Sequence, residues 1–187
     1  MQTAPIPFPH KKIAIIGCGG SGKTTLAKNL SSFLHLPVYH LDQYYWKPGW
    51  VESDLSSFKQ AHEKLCAQER WIIDGNQMST IADRINKADV IIFLNMPTSR
   101  CIWRIIIRWL RFRKKQRNDI PEGCFDRITY GFFKYVWNFN RTYQPRILTM
   151  LAQASSTKQI YILNSPQQVA LFINKLKQKL EEKSAHA

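Results

Sequence analysis

Eight residues, Gly17-Cys18-Gly19-Gly20-Ser21-Gly22-Lys23-Thr24, constrain this chain more than any other feature. They follow the apolar run Ile13-Ala14-Ile15-Ile16, the pattern of a strand buried on both faces of a parallel sheet. They precede a stretch, Lys23 to Leu34, in which Leu26, Leu30, Phe33 and Leu34 recur at helical spacing before Pro37 blocks continuation. Gly17, Gly22, Lys23 and Thr24 match the pattern G-x-x-x-x-G-K-[ST] in the strand-loop-helix setting that gives the pattern meaning. Glycines let backbone N–H groups turn inward on phosphate oxygens, and the helix N-terminus adds the positive end of its dipole. Lys23 is placed to bridge terminal phosphates, and the Thr24 hydroxyl to reach Mg²⁺. The expected ligand is ATP or GTP with Mg²⁺. Its phosphate-binding set is Gly17, Gly19, Gly20, Ser21, Gly22, Lys23, Thr24 and Thr25.

The same stretch spells G-x-G-x-x-G through Gly17, Gly19 and Gly22, with Asp42 twenty residues past Gly22, where a dinucleotide fold places its ribose-binding acid. Lys23-Thr24-Thr25 directly after the last glycine, and the lack of a substrate domain, favour the triphosphate reading.

Short apolar segments at Val38 to Leu41, Trp71 to Asp74, Val90 to Leu94 and Ile160 to Leu163 alternate with helical stretches. That alternation predicts an α/β fold, an open parallel sheet with helices on both faces. Ser165-Pro166-Gln167-Gln168 reads as a capping box with proline at the first helical position, opening a closing helix from Val169 to Glu182. At 187 residues, 44% hydrophobic and 21% charged, the chain reads as one globular domain over 12–187 behind a flexible, Pro-rich leader, 1–11. Its apolar runs fall far short of the roughly 20 residues of a membrane span, and Cys18, Cys66, Cys101 and Cys124 form no metal or redox motif. A soluble cytoplasmic protein is expected.

Net charge is +14, and the segment from Arg100 to Arg117 carries eight basic residues and no acid. Arg100, Arg104, Arg108 and Arg111 fall at helical spacings beside an apolar set, Ile102, Ile105, Ile106 and Trp109, which predicts an amphipathic helix with an arginine ridge. Asp119-Ile120-Pro121-Glu122-Gly123 follows as a turn-rich stretch, so residues 98–127 read as a lid. Arg104 and Arg108 are the first choices to neutralise charge on a transferring phosphoryl group, an effect of about 10³ to 10⁵ in rate in phosphoryl-transfer enzymes. For Arg113 to Arg117 a solvated basic face, or one that binds nucleic acid weakly or a membrane surface, is the better reading. Arg141 and Arg146 flank Tyr143-Gln144-Pro145 and are further candidates to reach the ligand.

In open parallel sheets the ligand lies outside the carboxyl ends of the strands. Asp42 and Asp74 end their strands, whereas Asp89 precedes one and belongs to the opposite end. Asp74 is placed to orient Mg²⁺ or the acceptor, with an Asx turn as its structural alternative. Asp42 is placed to take the acceptor's hydroxyl proton or to help hold the metal, with helix capping as its alternative. The segment 42–70 is then the acceptor side. Tyr44, Tyr45, Trp46 and Trp50 either wall a base or sugar pocket or cover the sheet edge. His40 and His62 have no partner visible in sequence and read as packed or solvated.

On these residues the chain resembles the small P-loop kinases related to adenylate kinase, in particular the set labelled topology modulation proteins. The resemblance runs from about Ile13 to Leu151. It is carried by the phosphate loop, His40-Leu41-Asp42, Trp46-Lys47-Pro48-Gly49-Trp50, Ile73-Asp74-Gly75-Asn76, Arg84 before Ala88-Asp89, and the arginine helix. It implies a five-stranded parallel core, a P-loop NTPase three-layer sandwich with a helical lid, and transfer of the γ-phosphoryl of ATP to a small acceptor in the presence of Mg²⁺. Adenylate kinases usually continue Asp-Gly with Phe-Pro-Arg; here Asn76-Gln77-Met78 follows, so the arginine that grips a nucleoside monophosphate there is absent. The named set more often has an aromatic residue where Gln77 stands, and its label implies DNA as a partner.

The sequence therefore predicts a small-molecule or nucleotide kinase in which Lys23 and Thr24 hold donor phosphates and Mg²⁺, Asp74 supports the metal, Asp42 handles the acceptor, and Arg104 and Arg108 stabilise transferred charge. A nucleotide-gated nucleic-acid-binding regulator and an NTPase switch without an acceptor are the alternatives. Mg·ATP is expected to raise the melting temperature of the native protein and to leave that of Lys23→Ala nearly unchanged in a thermal-shift assay; equal shifts would refute the phosphate-loop assignment.

Overall fold

A computed structural model describes residues 11–112 and 115–185, the side chains of 183–185 excepted. The first ten residues of the expected leader, and Arg113 and Lys114 of the basic segment, lie outside the described residues.

Chain order is β1 (Lys12–Gly17), α1 (Lys23–Leu34), β2 (Val38–His40), α2 (Asp42–Tyr45), β3 (Trp46–Lys47), a 3₁₀ turn (Pro48–Trp50), β4 (Val51–Glu52), α3 (Leu55–Ala67), β5 (Trp71–Asp74), α4 (Ile81–Lys87), β6 (Val90–Leu94), α5 (Thr98–Phe112), α6 (Tyr130–Thr142), α7 (Gln144–Ala154), β7 (Gln159–Leu163) and α8 (Pro166–Ala185). Five strands form one parallel sheet in the order β2-β5-β1-β6-β7, and β3 and β4 form a separate antiparallel ribbon. The expected α/β architecture with a five-stranded parallel sheet is the observed one.

Burial explains the order. The central strands β1, β5 and β6 are apolar on both faces, and Ile13 to Ile16, Trp71 to Ile73 and Val90 to Leu94 are all buried. The edge strands β2 and β7 alternate with half-buried positions, as an edge requires. Register pairs Ile13 with Ile72 on one side and Ile15 with Ile92 on the other, so β-branched side chains stack in layers under the helices.

Local chemistry sets the helix ends. Asp54 caps α3 by accepting from the backbone N–H groups of Ser56 and Ser57, each at 3.0 Å. The Ser165 hydroxyl accepts from Gln168 N at 3.2 Å, while the Gln168 side chain reaches Asn164 N at 2.7 Å, one residue before the partner a capping box would use. Asp89, at the amino end of β6, accepts from Lys11 N and Lys12 N at 2.9 and 3.0 Å and so ties down the entry to β1.

The apolar face predicted for the arginine helix is only partly covered. In α5 the buried residues are Cys101 and Ile105, Ile102 packs at the margin of the core, and Ile106 is open to solvent. Shifted by one residue, Trp103, Ile107 and Leu110 are exposed as well.

His62 on α3 is 1% exposed, with Nδ1 3.4 Å from Asp83 Oδ2 and Nε2 3.5 Å from Cys66 Sγ. These three are the one group of possible metal donors among the described residues. The two imidazole nitrogens are divided between Asp83 and Cys66, and the fully buried cation Arg84 lies beside them, an arrangement that satisfies a packed histidine and opposes a metal cation.

Desolvation, reinforced by Arg84, lowers the His62 pKa from 6.5 to about 4. The native state then takes up fewer protons than the unfolded chain between those values, so stability is full above pH 6.5 and declines as pH falls towards 4. The loss amounts to roughly 3 kcal/mol. Chemical denaturation across this window should show the decline, and His62→Gln, which cannot take up the proton, should flatten it.

Candidate active site

The phosphate loop joins β1 to α1 beneath α5 and α6. Gly20 has φ +77° and Gly22 φ +103°, conformations that favour glycine; at Gly20 a Cβ would lie 2.5 Å from the Cys101 carbonyl oxygen and has no room, and at Gly22 it would displace the Arg104 guanidinium, 2.7 Å away at Nη1. These glycines therefore let α5 close onto the loop. Lys23 Nζ donates to the Cys18 carbonyl at 2.9 Å, and Arg104 Nη1 donates to the Ser21 carbonyl at 3.1 Å. The Cys18 thiol, free, hydrogen-bonded to the Cys101 thiol and buried, is held protonated far above its ordinary range. Gly19, Gly20, Gly22, Lys23, Thr24 and Thr25 line a cleft of about 1220 Å³. Gly17 and Ser21, expected in the same set, are not on its wall: both are buried, and a Cβ on Gly17 would meet Leu94 O and Ser21 Oγ at 2.8 Å. Their part is to shape the loop from behind.

Parallel pairing brings the acids to the loop. Register places His40, at the end of β2, beside Asp74, at the end of β5, and β5 in turn lies beside β1. His40 Nδ1 is 3.0 Å from Asp74 Oδ1; Asp74 Oδ2 is buried without a hydrogen-bond partner. The histidine to which sequence assigned no partner thus fixes the orientation of the acid. The signal was present in the spacing, because both residues end apolar segments that had to be neighbours.

Asp42 opens α2 and faces the cleft, where its Oδ1 accepts from Gln77 Nε2 at 2.7 Å. The protein around it disfavours the ionised form and raises its pKa, Lys23 opposes this, and Asp74 reinforces it. Behind the acids, Arg84 is fully buried and donates to the Gly75 carbonyl at 3.0 Å, fixing the turn after Asp74. Asn76 Nδ2 donates to the Tyr135 hydroxyl at 3.0 Å and links that turn to α6. Hard oxygen donors at Thr24, Asp42 and Asp74 around one cleft, one of them an orphaned carboxylate oxygen, suit a magnesium ion.

The segment after α5 folds back over the cleft as a strap. Asp126 is 5% exposed; its two oxygens accept from Arg117 Nη1 at 3.0 Å, and its Oδ2 lies 3.0 Å from Arg108 Nε. Arg117 also pairs with Asp119. Arg104, Arg108 and Arg111 all line the cleft. Arg117, read from sequence as an outer, solvated residue, is instead half-buried in this network, because Asp119 and Asp126 return to it through a turn that periodicity could not register.

Of the aromatic stretch, Tyr45, Trp46 and Trp50 line the cleft and Tyr44 does not. Arg141 and Arg146 are exposed and off the wall, whereas Tyr143, which they flank, is on it. Tyr135 and Phe132 of α6 complete the roof; an aromatic helix with no charged pattern gave no sequence signal for that role.

No known family model matches the chain. Among curated proteins it is similar to the uncharacterized protein YqaC of Bacillus subtilis (strain 168), with 31% identity over 119 residues, 60% of this chain and 63% of the relative. The match thus spans less than two thirds of the relative's length. Among solved structures, shikimate kinase from Acinetobacter baumannii, in complex with shikimate, aligns with TM-score 0.54 and 14% identity over 92% of this chain and 94% of that one. A gluconokinase from Sinorhizobium meliloti 1021 gives 0.51 and 14%, covering 95% and 97%. Deoxyadenosine kinase from M. mycoides with bound dATP gives 0.50 and 18%, covering 89% and 99%. The chain shares their fold. That fold is α/β, a five-stranded parallel sheet covered by helices, and the glycine loop, Asp42, Asp74 and the roofing helices described above are this chain's own furnishing of it.

Asp126→Ala would leave two guanidinium groups facing each other over the cleft without their shared carboxylate. Removal of one partner from such a buried network costs about 3 kcal/mol. A lowered denaturation midpoint, with faster proteolysis between residues 115 and 127, is the expected result, and a midpoint within error of native would show that the strap does not depend on Asp126.

Proposed function

We propose that this chain is an ATP-dependent kinase that transfers a γ-phosphoryl group to a hydroxyl of a small acceptor. The observation that carries the reading is convergence: one cleft collects the phosphate loop with Lys23 and Thr24, the acids Asp42 and Asp74, and the arginines Arg104 and Arg108. A phosphate loop alone would serve a switch. A further carboxylate, Asp42, in the same cleft, which Tyr45, Trp46 and Trp50 also line, gives an acceptor a place to bind.

In this reading the loop's N–H groups, the α1 N-terminus and Lys23 hold the donor phosphates. Thr24 and Asp74 hold Mg²⁺, which when bound supplies charge neutralisation on the phosphate oxygens. His40 fixes the orientation of Asp74. Asp42 accepts the hydroxyl proton as the acceptor oxygen bonds to the γ-phosphorus and the bond from that phosphorus to the β–γ bridging oxygen breaks, releasing ADP. Its raised pKa suits a base that must take up a proton in mid-reaction. Arg104 and Arg108 face the charge that develops on the transferring group. Tyr45, Trp46 and Trp50 form the acceptor's apolar wall.

The regulator reading is less well supported, because it needs a free basic ridge. Arg104 is bonded to the phosphate loop, and Arg108 and Arg117 are bonded to acids of the strap. Three arginines of the segment from Arg100 to Arg117 are thus engaged within the protein rather than free for an external duplex.

Mg·ATP turnover should be measured against a panel of nucleosides, nucleoside monophosphates and small hydroxylated metabolites, with native protein and Asp42→Asn. At least one acceptor should accelerate ADP release, the variant should lose on the order of 10² to 10⁴ in rate, and the acid limb of the native profile should lie above the ordinary carboxylate range. Tight ATP binding with no accelerating acceptor anywhere in the panel would overturn the kinase reading.

A further inference from the structure

The structure leaves one surface that the cleft does not use. Gly20 adjoins Cys101 and Ile105 of α5, and Gly19 adjoins Phe132 and Val136 of α6, so both helices lie over the phosphate loop and pack against each other. Their inward faces are thereby fixed. Their outward faces carry large exposed apolar side chains. On α5, Trp103 is 64% exposed and Leu110 54%, with Ile106 between them; on α6, Tyr130 is 81% and Trp137 62% exposed, with Phe133 stacked on Trp137 at 6.0 Å between ring centres. Six large apolar side chains on two neighbouring helices exceed the scatter of single exposed residues that any surface carries.

The charge around this patch has one sign. Neither α5 nor α6 contains an acidic residue, and the whole stretch from Arg127 to Leu180 contains none. Arg104, Arg108 and Arg111 line the cleft, which leaves Arg100 on α5 and Lys134 and Arg141 on α6 as the exposed cations of the two helices away from it. The partner that fits is both anionic and able to take up aliphatic and aromatic side chains. A second copy of this chain would bring cation against cation. Single-stranded nucleic acid would stack on the tryptophans but give Ile106 and Leu110 little. An anionic bilayer surface accepts both, since lipid headgroups attract the basic residues while tryptophan, phenylalanine and leucine enter the boundary between headgroup and acyl chain.

We propose that the outward face of α5 and α6 docks this protein on anionic lipid surfaces, as a peripheral contact with no spanning segment. No described helix is long and apolar enough to cross a membrane. The proposal goes beyond the kinase reading and does not rest on it.

The test is co-sedimentation of the full chain with phosphatidylcholine vesicles, with and without phosphatidylserine, at several salt concentrations. Binding is expected only where phosphatidylserine is present, falling with salt and accompanied by a blue shift of tryptophan emission. Trp103→Ser/Leu110→Ser/Trp137→Ser should abolish it. Arg100→Gln/Lys134→Gln/Arg141→Gln should weaken it on the order of 100-fold. All six positions are exposed, and unchanged circular-dichroism melts would establish that both variants fold. The proposal is overturned if the native chain ignores phosphatidylserine vesicles or binds both kinds equally, and equally if the apolar triple variant binds as the native does. It is also overturned if light scattering shows a dimer that the apolar variant dissociates, or if a single-stranded oligonucleotide engages these residues more tightly than the vesicles do.

Discussion

Parallel pairing of β5 with β1 and of β2 with β5 is the constraint on which the rest of this molecule depends. Parallel strands all present their carboxyl ends on one side, so a glycine loop after β1, a histidine and an aspartate around the end of β2 and an aspartate at the end of β5 have to meet. The drive behind the pairing is burial of the central isoleucine and valine layers. Each fully buried side chain of this kind contributes roughly 1.5 to 3 kcal/mol before conformational entropy is subtracted. Placement of the polar site therefore follows from the apolar core, and a shift in register would separate His40 from Asp74 before it disturbed the loop.

Much of this was legible in the sequence because it rests on short-range pattern. The loop, the helix after it, the apolar strands and the assignment of Asp42 and Asp74 to one end and Asp89 to the other follow from spacing and from the rule that ligands bind beyond strand carboxyl ends. What stayed hidden depends on chain segments returning from a distance. Tyr135 reaches Asn76 across fifty-nine residues, and Arg84 holds Gly75 from beneath the sheet. Arg117 looked like part of a solvated basic run until Asp119 and Asp126 folded back to it. The amphipathic reading of α5 holds in part: Ile105 is buried and Ile102 packs against the core, whereas Ile106 is open to solvent with Trp103 and Leu110, because the helix meets the glycine loop through Cys101 and Ile105.

Charge is divided along the chain with unusual sharpness. Residues 1–89 are nearly balanced, with ten basic and eight acidic side chains, whereas 90–180 carry sixteen basic residues against three acids. All three of those acids fall within Asp119 to Asp126, and two of them are taken up by Arg108 and Arg117. In the proposed reaction the first half would supply the carboxylates, and the basic second half a field favourable to a polyanionic ligand.

The strap and the aromatic ribbon are stitched to each other as well as to the cleft. Gly49 N donates to Gly123 O at 3.4 Å, Trp50 Nε1 to Phe125 O at 2.8 Å, Cys124 Sγ to Lys47 O at 3.3 Å, and Gln43 Nε2 to Asn118 O at 2.6 Å. Two segments some seventy-five residues apart in sequence therefore form a single jaw. Trp50 and Lys47 are thereby hydrogen-bonded to Phe125 and Cys124, the two residues before Asp126, so the aromatic wall and the carboxylate that pairs with Arg108 and Arg117 rest on one scaffold.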